Sequence, residues 1–143
     1  MRRSLGSCEG PASRANLRPD YSRSMRDLVI KCTTGAEAPE RANQAFTVAA
    51  SGVAAGAAVS LWLTGEAAWF GVPGRAEAFE LDLATPLAEL RDIVIAGGSV
   101  TVCSQCASRR GLVQGDLVKG VGIAGAAVFA EQVLGDGVQA LVY

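Results

Sequence analysis

The sequence predicts an α/β fold built on a mainly parallel, five-stranded sheet with helices over both of its faces. Two observations carry this. Short apolar runs ("DLVIKC", "AVSLWL", "SVTVC", "VGIAG", "VQALVY") alternate along the chain with segments whose apolar residues recur at helical spacing. The runs are apolar at successive positions, as strands covered on both faces are, rather than at every second one. Composition agrees: 143 residues, half of them apolar and 19% charged, suffice for one globular domain whose core needs neither disulfide nor metal.

The elements follow in order. "DLVIKC" (27–32) reads as the first strand and "TTGAEAP" as the turn after it. Pro39 suits the first turn of a helix and Glu40 its positive end; that helix runs to about residues 51–55 and stops near Gly56. "AVSLWL" (58–63) is the second strand, and "TGEAAWFGVPG" a short helix ended by Gly71 and Pro73. Residues 75–83 read as irregular. Pro86 opens "PLAELRDIVIAGG", with Leu87, Leu90, Ile93 and Val94 on one helical face and Gly97–Gly98 as the stop. "SVTVC" (99–103) is the third strand, followed by a short helix from about Ser104 and the turn "GLVQGD". "VGIAG" is a fourth short strand or turn, "AAVFAEQVL" a helix and "VQALVY" the last strand.

Charge divides the chain. Residues 1–26 hold six arginines against Glu9 and Asp20, a balance of +4, while residues 27–143 hold seven bases against twelve acids, a balance of −5. Residues 1–24 therefore read as a basic, disordered tail ahead of a domain at 25–143, with Met25 as an alternative start. The tail has no apolar core of a secretory signal, although its Arg- and Ser-rich, acid-poor composition also suits an organellar transit peptide. The acidic domain offers no basic face to nucleic acid. Residues 42–65 carry no charge and could by length span a bilayer, but they are mostly Ala, Gly, Ser and Thr and are split at Gly56, so no membrane span is expected.

Candidate chemistry centres on cysteine. Histidine is absent, which excludes Ser-His-Asp and Cys-His nucleophile pairs and every histidine metal site. Four cysteines (8, 32, 103 and 106) are too few and too unevenly spaced for a secreted disulfide scaffold and suit reduced thiols in the cytoplasm. Cys103 and Cys106 form a C-x-x-C that supplies only two of the four ligands a structural zinc site takes, so neither metal nor cofactor is implied. Two readings remain for the pair: buried small residues, or reactive thiols. A cysteine where a strand meets a helix faces unpaired backbone N–H groups that favour the thiolate, and Arg109 and Arg110 add positive charge nearby. Cys32 and Cys103 both end predicted strands and so share the carboxyl rim, where α/β sheets gather their ligands. The turn at Cys32, Thr33, Thr34 and Gly35 is a candidate anion-binding loop or simply a capped turn. "GVGIAG" (120–125) matches G-x-G-x-x-G but lacks the strand context and the downstream acid of a dinucleotide site, and reads as glycine packing. The aromatic residues Phe46, Trp62, Trp69, Phe70 and Phe79 read as core or subunit contacts.

Taken together, "LVIKCTTGAEAPERANQAF", "SLWLTGEAAW", "VCSQCASRRGL" and "GVGIAGAAVFAEQVLGDGVQALVY" resemble the DsrE/DsrF-like family, which includes TusD-type sulfur-relay proteins and relatives described as predicted peroxiredoxins. The likeness runs from Met25 to Tyr143. It implies a three-layer α/β/α sandwich that assembles as a homo-oligomer, a trimer or hexamer. It also implies a persulfide-carrying cysteine at the end of the third strand, six residues before Arg-Arg-Gly, a position Cys103 fills. Cys106 matches a second cysteine found in other members, and the resulting C-x-x-C departs from the single-cysteine relay pattern. The expected function is intracellular sulfur transfer through a Cys103 persulfide, with a donor or acceptor protein as partner. The alternatives are a thiol–disulfide or peroxide-reducing Cys103–Cys106 pair, and a non-catalytic oligomeric binding protein whose cysteines only pack.

Overall fold

The computed structural model describes residues 25–143; the sequence expectations for residues 1–24, and for Cys8 among them, lie outside the described residues. Five strands form one sheet: β1 (Asp27–Cys32), β2 (Val59–Leu63), β3 (Ser99–Cys103), β4 (Val121–Ala124) and β5 (Val138–Val142). Their order is β4-β3-β2-β1-β5, and every pairing is parallel. Four α-helices connect them: α1 (Pro39–Ala54), α2 (Leu87–Gly97), α3 (Ser104–Arg109) and α4 (Ala126–Val133). The short helix predicted after β2 is a 3-10 helix, Gly65–Gly71.

One face of the sheet is sealed by α1 and α2. Helix α1 begins at Pro39, whose missing N–H costs nothing in a first turn. It buries Ala42, Ala45, Phe46, Ala49 and Ala50, a stripe at helical spacing. Small residues let the layers approach. A Cβ on Gly52 would press on Leu28 and Val59, and one on Gly97 of α2 would strike Val53 of α1. Beneath these helices Ile30, Cys32, Leu61, Leu63, Val100 and Val102 form the buried core. Between the 3-10 helix and α2 the chain is irregular, as expected. It is pinned by the buried guanidinium of Arg91, which donates to Glu77 at 2.8 Å and to the Phe70 carbonyl at 3.4 Å.

Strand pleating sends the intervening residues to the other face. The register sets Ala140, Val29, Ser60 and Ser99 in one row across the sheet, and Val142, Lys31, Trp62, Thr101 and Gly122 in the next. Among the described residues only α4 lies over this face. It contributes no fully buried residue, runs alongside β5 and meets Trp62 and Lys31 of the sheet. The Trp62 indole N–H donates to Gln132 at 2.8 Å, and its ring meets Phe129 edge to face at 5.3 Å. The sandwich is therefore three-layered but unequal, because apolar runs of equal strength underlie a full layer and a single short helix. Val128, Leu134 and Val142 remain exposed on or beside α4.

Candidate functional site

The connections after β1, β2 and β3 all lead toward the β4 edge, whereas the connection after β4 crosses back to β5 at the far edge. Helix α3 joins the sealed side through Cys106 and Ala107, and α4 lies on the other. The chain thus diverges to opposite faces at the carboxyl ends of β3 and β4, the kind of crevice where open α/β sheets hold ligands and reactive groups. Cys103 ends β3 there, in register with Ala124 of β4. The two turns abut: a Cβ on Gly125 would lie 3.3 Å from the Ser104 hydroxyl.

Cys103 is half-buried and belongs to the pleat series of Ser99 and Thr101, with its rim position still touching the core edge. Its thiol pKa is lowered. Burial, the largest single influence, opposes this, but the backbone N–H and thiol of Cys106, the N–H of Gln105 and the charge of Lys31 together outweigh it. None of those N–H groups meets the strict geometry of a side-chain helix cap. The combined direction is what counts, since several weak donors and one cation act on the same sulfur. Lys31 is held with its ammonium 4.7 Å from the centre of the Phe129 ring.

Cys106 lies one turn into α3 and is buried, its sulfur accepting the Gly65 N–H at 3.1 Å. That donor exists because residue 65 is glycine: its φ is +55°, and a Cβ would fall 2.7 Å from the Thr33 carbonyl oxygen. Arg110 ties the parts together. It donates to the Cys106 carbonyl at 3.1 Å and pairs with Glu66, while Arg109 is exposed. The structure thus gives the two arginines different places, although the sequence treats them alike.

Cys32 shares the rim with Cys103 but not its face. It continues the Ile30 series into the sealed core, is fully buried, and donates to the Thr34 carbonyl at 3.4 Å. Burial pushes its pKa up to about 11, against which hydrogen bonding to Thr34 has little effect. In the following turn the Thr33 hydroxyl and N–H both donate to the Tyr143 carbonyl, at 2.6 and 2.9 Å. The Gly35 N–H is taken by both carboxylate oxygens of Glu37 at 2.9 Å. The turn considered for an anion is thus filled by its own carboxylate. In "GVGIAG" Gly120, with φ of +96°, stands in the turn before β4 and Gly125 in the turn after it, while a Cβ on Gly122 would meet nothing.

A cavity of about 410 Å³ is bounded by the 3-10 helix and the irregular segment after it and lined in part by Glu37, Glu66, Trp69 and Arg75; neither Cys103 nor Cys106 lines it. Sequence reasoning missed it because part of its wall, from Arg75 to Phe79, is irregular chain; the available signal was the cluster of aromatic residues at 69, 70 and 79.

A model of the DsrE/DsrF-like family matches residues 26–141. No curated protein matches the chain. Among solved structures, the ychN protein of E. coli is similar with a TM-score of 0.70 at 20% identity, covering 83% of this chain and all of that one. A protein of unknown function, MTH1491 of Methanobacterium thermoautotrophicum, is similar with a TM-score of 0.59 at 10% identity, covering 82% of this chain and 99% of its own. At these identities the likeness is one of fold.

Proposed function

The chain belongs to the DsrE/DsrF-like family, and from that premise we propose that it transfers sulfane sulfur as a persulfide on Cys103. The observation that carries the proposal is the contrast among the free thiols. Among the described residues, Cys32 is sealed in the core with a raised pKa, whereas Cys103 combines a lowered pKa with a half-exposed place at the divergence of the two last connections. In the proposed cycle the Cys103 thiolate attacks the outer sulfur of a persulfide donor, R–S–SH. The donor S–S bond breaks, R–S⁻ departs and Cys103–S–SH is left. An acceptor thiolate then takes the terminal sulfur and restores the Cys103 thiolate. The unburied helix α4 and the exposed Val128, Leu134 and Val142 support assembly with further copies of the chain. The proposed compartment is the cytoplasm, where thiols stay reduced; no helix among the described residues is long and apolar enough to cross a membrane.

Intact-protein mass spectrometry after incubation with a persulfide or polysulfide tests this. The expected result is the added mass of one sulfur on wild-type protein and none on Cys103→Ser. Wild-type transfer by Cys103→Ser would end the proposal.

One observation favours a second reading: Cys106 lies one turn into α3, three residues after Cys103 at the end of β3. Under a mild oxidant the two would lose two electrons and two protons to form a disulfide, which an external dithiol would reopen. Peptide mapping after oxidation decides it; if Cys103 and Cys106 never pair, the dithiol role is discarded.

A further inference from the structure

The thinly covered face of the sheet is barest at the amino ends of its strands. In the row Ala140, Val29, Ser60 and Ser99, only Val29 is buried, and Ala140 and Ser99 are exposed. A groove of about 370 Å³ lies here, between the strands and the end of α4. Val29, Ala58 and Val138 give it apolar walls, and Asp27, Glu131 and Asp136 bring three carboxylates to it. No Lys or Arg lines it. Among the described residues none of the three carboxylates is in an ion pair, unlike Glu66, Glu77 and Asp92. Helix α4 deepens the negative potential, since its last turn borders the groove and holds no basic residue. Glu131 and Asp136 thus stand at a helix end that favours a cation. The exposed Val128, Leu134 and Val142 do not line this groove.

The chain carries the complementary charge next door. Strand β1 begins at Asp27, itself part of the lining, so the segment before Met25 joins the domain at the groove's own edge. Residues 14–24 hold Arg14, Arg18 and Arg23 against Asp20 alone, with Leu17 and Tyr21 as large apolar side chains. Extended at ~3.3 Å per residue they reach about 36 Å, further than the width of a five-stranded sheet at ~4.8 Å per strand. Tethering at Asp27 keeps their local concentration on the order of millimolar. A second copy of the domain is less suited, because residues 27–143 bring a balance of −5 to a groove that is already acidic. We propose that residues 14–24 of the same chain dock in this groove, with Arg18 and Arg23 on Glu131 and Asp136 and the Tyr21 ring against Val29 and Val138. Such docking braces the end of α4 against the amino ends of β1 and β5, and it stands apart from the sulfur chemistry.

The test is NMR of the full-length chain with methyl groups and tyrosine rings labelled. Nuclear Overhauser contacts should join the Tyr21 ring to the methyls of Val29 and Val138. Arg18→Glu with Arg23→Glu should abolish them. Amide exchange at Gly135 and Val138 should then quicken roughly two- to thirtyfold, the range that two exposed ion pairs supply. Adding Glu131→Arg and Asp136→Arg to the charge-reversed chain should restore both the contacts and the slow exchange. The Leu61 and Leu63 methyls, in the sealed core, should hold their positions throughout and show the fold intact. Absence of Tyr21 contacts in the wild type, or groove signals indifferent to the charge reversal, overturns the proposal. Contacts that vanish on dilution, or that in a mixture of separately labelled chains run only between chains, give the groove to a neighbouring copy and overturn it as well.

Discussion

The two faces of this sheet are made from the same five strands and finished differently. Leu61 and Leu63 lie under α1 and α2 with no exposed surface; of their neighbours, Ser60 accepts a hydrogen bond from Ser99 across the sheet and Trp62, itself buried, packs against α4, a helix with no fully buried residue. The cysteines follow the same division. Cys32 continues the sealed series, and its pKa is pushed up to about 11. Cys103 continues the other series, near Lys31, and its pKa is lowered. Two thiols at one rim thus have their pKa values displaced in opposite directions, one turned by the pleat into the sealed core and the other away from it. Position along the strand sets the rim, and parity sets the chemistry.

The largest expected effect tests the inequality of the layers. Leu61→Ala should cost ~2–5 kcal/mol in urea unfolding, as fully buried leucine truncations do. Val128→Ala on the outer side of α4 should cost under ~0.5 kcal/mol at monomer concentrations. Comparable losses would mean that the two faces are equally packed.

A somewhat smaller effect belongs to Cys32 and alkaline pH. Its folded pKa lies above the ordinary thiol value of 9.0, so its contribution to stability is fully present below pH 9 and is lost as pH rises toward about 11. Over that window the wild type should lose roughly 2–3 kcal/mol more than Cys32→Ala, as measured by urea midpoints at stepped pH. Parallel pH profiles for the two proteins would show that Cys32 is not held in the sealed core.

The smallest effect sharpens the reactive side. Lys31 contributes least among the influences acting on Cys103, so Lys31→Met should slow alkylation of Cys103 at neutral pH by less than about tenfold. Cys32 should resist the reagent until the protein is denatured. A Cys103 that alkylates no faster than a free thiol in the wild type would remove the contrast.

Much of the fold was legible because local signals agree with the tertiary ones. Pro39 with Glu40, Pro86, and the glycines at 56 and 97–98 mark the ends of α1 and α2 to within a few residues. The rim position of Cys103 followed from the strand it closes. The inequality of the faces did not, because Val29 and Trp62 are as apolar as Ile30 and Leu61 and composition cannot say what lies above them. Arg109 and Arg110 look equivalent in sequence, yet the short α3 turns only Arg110 toward Glu66. The cavity was illegible for another reason. Arg75 and Phe79 sit on a segment without periodicity, and its course depends on Arg91, a residue that sequence would assign to a solvated helix surface.

The place of β5 has a consequence for how the chain is made. Strand β1 pairs with β2 on one side and with β5 on the other, and Thr33 reaches Tyr143, 110 residues along. During synthesis β1 can join β2 and bury its α1 face early. Its other edge keeps a row of open backbone groups until residues 138–143 have left the ribosome. Until then that edge is open to mispairing with a neighbouring chain. Closing it is among the last steps of folding.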